Sequence, residues 1–213
     1  MKGIKLVIFD LDGTLVNAYP AIVKSFNFAM RKTGSRRQNP SVIRRAVGWG
    51  DKLLLRPFVK KKDLNRALRI YRSHHAFELL RGARLYAGAA KTLAFLKKNG
   101  YKIAVASNRP TKFSRILMRH LNISRFFDYA LCADRLSRRK PHPQILNEIL
   151  RRMQVNANEA VFVGDMAIDA QAGNRAHIKT FIVSRNQDSG PGLPRYKPFK
   201  LIKNISGLRK YLS

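Results

Sequence analysis

The stretch Gly3 to Leu15, GIKLVIFDLDGTL, constrains this chain more than any other. Ile4 to Phe9 is an apolar run broken only by Lys5, rich in branched and aromatic side chains, and it has the length of a strand buried on both faces. Such a strand belongs inside a sheet covered by helices on either side. It ends abruptly in Asp10, Leu11, Asp12, Gly13 and Thr14. Two like charges at ~4 Å repel by roughly 1 to 4 kcal/mol at effective dielectrics of 80 to 20. The strand end is therefore solvated, shares a proton or binds a cation. A calcium loop of the EF-hand type is excluded, because its glycine falls sixth and Gly13 stands fourth from Asp10.

After Leu15 the pattern is helical. Ala18 to Lys32 carries apolar residues at helical spacing, including Ile22, Phe26 and Met30, with Pro20 suited to a first turn. Val42 to Val47, Lys52 to Val59 and Leu64 to Leu80 read as further helices, separated by Gly48-Trp49-Gly50-Asp51 and by Lys60-Lys61-Lys62. No convincing strand lies among them, so residues 16–85 are expected to form an all-helical insert.

Beyond Gly88, helices and short apolar strands alternate: helix Ala90 to Lys98, strand Lys102 to Ser107, helix Lys112 to Leu121, strand Tyr129 to Ala133, helix Pro143 to Met153. Strand Ala160 to Val163, helix Ile168 to Ala176 and strand Ile178 to Val183 follow, then a Gly- and Pro-rich loop over Ser189 to Pro198 and a last short strand and helix over Leu201 to Leu212. This alternation implies an α/β fold with a doubly wound parallel sheet. The domain reading is a core of residues 1–15 and 86–213 with a cap of residues 16–85.

Charge is the compositional anomaly. The 213 residues hold 43 Lys and Arg against 12 Asp and Glu, a net charge of +31, where a small soluble domain usually carries about 2 to 8. Nucleic acid is the first partner such a balance suggests. The excess is spread over the whole chain, however, which argues against a dedicated patch. The single cysteine, Cys132, excludes an intramolecular disulfide and sits in an apolar run, which predicts packing rather than chemistry. No run of about 18 apolar residues exists, and Met1-Lys2 lead into the first strand without a signal-peptide pattern, so a cytoplasmic location is expected.

Three later strand ends bear on Asp10 and Asp12, since open parallel sheets bind ligands beyond the carboxyl ends of their strands. Ser107-Asn108 follows the strand KIAVAS; alone, the serine reads as a turn residue. Lys140-Pro141-His142-Pro143 stands at a helix start; within Arg138-Arg139-Lys140 a lysine would ordinarily be a solvated charge. VFVGDMAID ends in Asp165 and Asp169, whose i, i+4 spacing puts both carboxylates near one face of a helix start, where capping alone would explain Asp165. Asp10, Asp12, Asp165 and Asp169 make up a third of the 12 acids of the chain, which sets them apart from a random scatter.

In this order, Asp-x-Asp-Gly-Thr, strand-end Ser, Lys with Pro-x-Pro and Gly-Asp-x-x-x-Asp resemble the four motifs of the haloacid dehalogenase (HAD) superfamily, in its phosphoglycolate-phosphatase-like branch. That resemblance implies a Rossmann-like core with a helical cap and Mg²⁺-dependent hydrolysis of a small phosphate monoester, phosphoglycolate-like or a sugar phosphate. It implies Asp10 as nucleophile through an aspartyl-phosphate and Asp12 as acid and base. Ser107, Asn108 and Lys140 would bind the phosphoryl group. The metal would be held by Asp10, Asp165 and the Asp12 backbone carbonyl, with Asp169 as a ligand through water or a support. Specificity is expected in the cap around Gly48-Trp49-Gly50, although Trp49 alone reads as a core residue. Asp12 disfavours a dehalogenase.

The motifs leave two alternatives open, a phosphosugar mutase of the same superfamily and a non-enzymatic polyanion-binding scaffold on this fold. The chain departs from the resemblance at Asn17, where relatives usually carry Asp, at Ala87 for Pro, and at His177 for Gly. A chain this uniformly positive also resembles a deliberately supercharged variant of an ordinary phosphatase, as an alternative to a naturally basic protein. Either origin implies salt-sensitive, non-specific binding of nucleic acid and other polyanions.

Overall fold

The computed structural model describes residues 1–185 and 196–212. The expected loop over Ser189–Pro198 falls largely outside the described residues. Strands β1 (Leu6–Phe9), β4 (Lys102–Ser107), β5 (Tyr129–Cys132), β6 (Ala160–Gly164), β7 (Lys179–Val183) and β8 (Lys200–Ile202) form one six-stranded parallel sheet in the order β5-β4-β1-β6-β7-β8. The continuous apolar run of β1 is explained by this position, because Leu6, Val7, Ile8 and Phe9 are all fully buried.

Alternate residues feed the two faces of the sheet. Val7, Phe9, Val105 and Val163 belong to the larger apolar cluster, together with Leu93 and Leu96 of α5 (Ala89–Lys98) and Phe113 and Leu117 of α6 (Thr111–His120). Leu6, Ile8, Ala104 and Phe162 face the opposite way, onto Ile145, Leu146 and Ile149 of α7 (Gln144–Met153) and Ala172 of α8 (Ala167–Arg175). Helix α9 (Arg209–Leu212) ends the described chain. Cys132 is buried with its Sγ 3.3 Å from the Ser114 hydroxyl, as the packing reading expects.

The helical insertion rises from the carboxyl edge of β1. It comprises α1 (Tyr19–Lys32), α2 (Pro40–Ala46), α3 (Asp51–Leu55) and α4 (Leu64–Gly82). The helix expected over Lys52–Val59 is shorter than its apolar spacing suggests, and Arg56–Phe58 continues as a 3-10 turn. Pro57 has no N–H to give the α-helical ladder, and its ring crowds the preceding turn. Two strands too short for any hydropathy pattern bracket the insertion: β2 (Val16–Asn17) pairs antiparallel with β3 (Arg84–Leu85), Val16 opposite Leu85. We propose this neck as the boundary between a core of residues 1–15 and 86–213 and a cap of residues 16–85. Trp49 does not enter the core as its size suggests; it remains 39% exposed on the loop between α2 and α3. Among the described residues no helix is long and apolar enough to cross a membrane.

His177 occupies the turn from α8 to β7 at φ +56°, in the left-handed region that non-glycine residues enter at a cost of roughly 1–2 kcal/mol. Its side chain is exposed. His177→Gly relieves that strain but loosens the unfolded chain by about 0.4–1 kcal/mol, so a net gain of up to about 1 kcal/mol is expected. Urea unfolding checks it: the midpoint should rise with the slope unchanged, and a lower midpoint would mean that the imidazole makes a stabilising contact.

Candidate active site

The carboxyl ends of β1, β4 and β6 converge on one point. The Asp10 backbone N–H donates to the Val163 carbonyl at 2.9 Å, carrying the β1–β6 pairing one residue past the strand, so the carboxylate emerges at the sheet edge. The chain then turns at Gly13, φ +82°, whose N–H closes onto the Val16 carbonyl at 2.9 Å. Arg185, just beyond β7, donates to the Gly13 and Thr14 carbonyls, and its guanidinium lies 3.5 Å from the centroid of the Tyr86 ring. Tyr86 in turn donates its N–H to Leu15 at 3.0 Å, so Arg185 ties the motif loop to the neck of the cap.

Lys140 is the electrostatic centre of the site. Its side chain is 2% exposed, and its ammonium donates to Asp10 Oδ1 at 2.9 Å, Asp169 Oδ1 at 2.8 Å and the Ala106 carbonyl at 2.8 Å. Burial alone would lower its pKa, but Asp10 and Asp169 together raise it above the ordinary lysine value. Asp169 is buried on the first turn of α8. Its Oδ2 accepts the backbone N–H groups of Asp165 at 3.2 Å and Met166 at 3.1 Å, so Asp169, rather than Asp165, caps this helix start. Asp165 Oδ1 accepts the Thr14 hydroxyl at 3.1 Å.

Asp10, Asp165 and Asp169 each present a carboxylate oxygen, and the three oxygens lie within 4.8 Å of one another. Burial pushes the Asp10 carboxyl up to about 7 despite Lys140, and burial followed by the charges of Asp169 and Asp10 raises Asp165 well above the carboxylate range. One ammonium does not compensate three clustered acids, two of them buried. A hard divalent cation that prefers oxygen ligands fits this donor set. The Asp12 carboxylate lies outside the cluster, leaving only its backbone carbonyl for the ligand role the motif implies.

Asp12 is instead held by Arg109, which donates from Nε and Nη2 to its two oxygens, both at 2.7 Å. Arg109 Nη1 lies 2.8 Å from His75 Nε2 on α4 of the cap. Arginine only donates, so Nε2 accepts and the imidazole proton sits on Nδ1, 3.3 Å from the Ser25 hydroxyl of α1. Burial, then the Arg109 charge, lowers the His75 pKa to about 2, which keeps the ring neutral. Asp12, Arg109, His75 and Ser25 thus form one chain of contacts from core to cap.

Ser107 is buried and its Oγ accepts the Arg109 backbone N–H at 3.2 Å. The Asn108 amide is engaged within the protein: Nδ2 donates to the carbonyls of Gly48 at 2.8 Å and Lys140 at 3.0 Å, and Oδ1 accepts the Lys140 N–H at 3.0 Å. Arg139 reaches the Trp49 carbonyl at 2.7 Å. These bonds draw the cap loop over a cavity of about 60 Å³, lined on the core side by Asp10, Asp12, Ser107, Arg109, Lys140 and Asp169. Gly48, Gly50, Asp51, Tyr71 and His75 face it from the cap, whereas Trp49 does not.

All the acids and the lysine expected from the motifs therefore meet at one place. Arg109, Arg185 and His75 had no distinguishing signal in the sequence, except that Arg109 directly follows Ser107-Asn108.

This fold and this site define a hydrolase built on the haloacid dehalogenase plan. Residues 7–183 match the family model of haloacid dehalogenase-like hydrolases, and the chain belongs to that family. It is 29% identical to the phosphoglycolate phosphatase of Pseudomonas fluorescens, over 96% of this chain and 78% of that one. It is also 29% identical to the phosphoglycolate phosphatase of Aquifex aeolicus, over 83% of each. Among solved structures, a "predicted phosphoglycolate phosphatase" from Haemophilus somnus 129pt superposes with a TM-score of 0.94 over the whole of both chains at 24% identity, a likeness of fold.

Gly13 leaves the space that brings Asp165 against the motif loop. A Cβ added there would lie 1.9 Å from Asp165 Oδ2, on a backbone already at φ +82°. Gly13→Ala should displace Asp165 and weaken Mg²⁺ binding by roughly tenfold or more, read by titration calorimetry. Unchanged affinity in a folded variant would remove Asp165 from the ligand set.

Proposed function

We propose that this protein is a Mg²⁺-dependent phosphatase of small, anionic phosphate monoesters, of which phosphoglycolate is the model. The observation that carries the reading is the cluster of three carboxylates at the carboxyl ends of β1 and β6, two of them buried and paired with the one ammonium of Lys140. Asp10, Asp165 and the Asp12 carbonyl would hold the metal. When bound, Mg²⁺ neutralises charge between a carboxylate nucleophile and a phosphoryl dianion.

Asp10 attacks phosphorus; the bond to the ester oxygen breaks, its electron pair leaves with that oxygen, and Asp12 supplies the proton. Water then attacks the aspartyl-phosphate, Asp12 takes the water's proton, and Asp10 is released as carboxylate. Ser107 holds a phosphoryl oxygen, and Lys140, whose three protons lie on Asp10, Asp169 and the Ala106 carbonyl, turns the one on Asp10 to the phosphoryl group as charge develops there. Asn108, whose amide is spent on Gly48 and Lys140, positions the lysine. Asp169 orients Lys140 and the Asp165 loop.

Arg109 supports an acidic substrate. It is the cavity cation that Lys140's phosphoryl role leaves over, and it currently neutralises Asp12. A substrate carboxylate that takes over Arg109 releases Asp12 for proton transfer.

Phosphate release from phosphoglycolate, measured in enough salt to strip bound polyanions, should require Mg²⁺, vanish in EDTA and be lost in Asp10→Asn. Arg109→Met should raise KM for phosphoglycolate by about 10- to 100-fold, the worth of a charged hydrogen bond, and raise KM for uncharged glycerol esters less. Phosphoryl transfer to a sugar without phosphate release would make the protein a mutase, and absence of both would leave a non-catalytic scaffold.

A further inference from the structure

The cap side of the catalytic cavity differs in chemistry from the core side. In a chain with 43 Lys and Arg, none of the cap residues lining the cavity is basic. Their polar side chains are Asp51 on α3 and Tyr71 and His75 on α4. His75 is already committed, with Nε2 accepting from Arg109 and Nδ1 beside the Ser25 hydroxyl. Asp51, whose side chain is 10% exposed, accepts Nε of Arg72 at 2.7 Å and Nη2 at 3.2 Å, which leaves each of its oxygens a further lone pair. Tyr71 is 3% exposed, and its ring stacks on His75 with centroids 4.9 Å apart and planes inclined by 20°. Among the described residues its hydroxyl has no hydrogen-bond partner. The stack holds the ring in place, so the hydroxyl cannot swing away to find one. Burial raises the Tyr71 pKa, against the Arg109 charge and with that of Asp51, so the phenol keeps its proton and can both donate and accept.

We infer that the substrate carries a hydroxyl on the carbon between its phosphate ester and its carboxylate, and that Tyr71 and Asp51 bind this hydroxyl; the inference rests on the phosphatase reading. Tyr71 donates to the hydroxyl oxygen, the hydroxyl proton goes to an Asp51 oxygen, and Arg109 takes the carboxylate. A second anion does not suit the cap side, where it would face Asp51 with Ile22, Val47 and Leu54 for its other neighbours. An ammonium would meet a carboxylate that Arg72 already neutralises. A hydroxyl satisfies a donor and an acceptor at once and brings no charge. The substrate class is therefore a phosphorylated 2-hydroxy acid. Phosphoglycolate supplies the carboxylate but leaves Tyr71 unpaired, and an unpaired buried donor is costly.

The test compares kcat/KM, with Mg²⁺ and the full chain freed of polyanions by high salt, for each enantiomer of glycerate 3-phosphate and for 3-hydroxypropanoate phosphate, which differs only in lacking the hydroxyl. The better enantiomer should exceed the deoxy ester by about tenfold or more, because a site built to bond a hydroxyl rejects the analogue without it. Tyr71→Phe removes one oxygen and keeps the ring on His75, and circular dichroism verifies its fold. In that variant the ratio should fall to within about threefold of one. A ratio near one in the unaltered protein, or a ratio that Tyr71→Phe leaves unchanged, would overturn the inference and leave the phosphatase standing. So would faster turnover of O-phosphoserine, which carries an ammonium in the hydroxyl's place and would make Asp51 a cation site. Absence of phosphate release from every one of these esters would instead remove the phosphatase reading, and this inference with it.

Discussion

Everything at the carboxyl edge of this sheet depends on one buried ammonium. Lys140 lies against Asp10, Asp169 and the Ala106 carbonyl with almost no exposure to water. Taking a single charge into such a place costs several kcal/mol, and only close partners with good geometry offset that cost. The two carboxylates supply the partners. Asp169 also spends its second oxygen on the backbone of Asp165 and Met166, so the lysine, the start of α8 and the third carboxylate are one unit. The balance remains negative by design of the residue types: three acids face one base. That residual charge is what makes the site receptive to a divalent cation instead of merely tolerant of one.

The cap is attached to this unit through side chains of the core. Asn108 holds the Gly48 carbonyl, Arg139 holds the Trp49 carbonyl, and Arg109 spans from Asp12 to His75. Because Asn108 also grips both backbone groups of Lys140, the position of the cap loop and the position of the lysine are set by the same amide. The bidentate pair between Arg109 and Asp12 places the proposed proton donor under the control of whatever competes for the guanidinium. A substrate that brings its own anionic group competes directly; a neutral one does not. On the proposed reading this selectivity would arise at a core residue, although the cavity wall facing it belongs to the cap.

The fold was legible where its physics leaves a period in the sequence. Alternating strands and helices beyond Gly88 gave the parallel sheet, and a run apolar at every position marked β1 as central. The four candidate site acids were legible because they end strands or open a helix in a fixed motif order, and a chain with 12 acids against 43 bases makes each carboxylate stand out further. The same imbalance hid the cationic half of the site. Arg109 and Arg185 look like any of the other basic residues, and only the fold reveals that one lies beneath the cap and the other on the motif loop. Trp49 misled by its size, because a loop fastened through its backbone carbonyl leaves the indole outside. The two-residue strands at the neck could not be read, since neither is long enough to show a period of 2.

The large positive charge and the acidic site are not independent. Gathering buried carboxylates raises their pKa values, as at Asp10 and Asp165, and each surrounding cation works against that rise. A field of the same sign draws phosphorylated substrates toward the cavity, most strongly at low ionic strength. It draws every other polyanion as well.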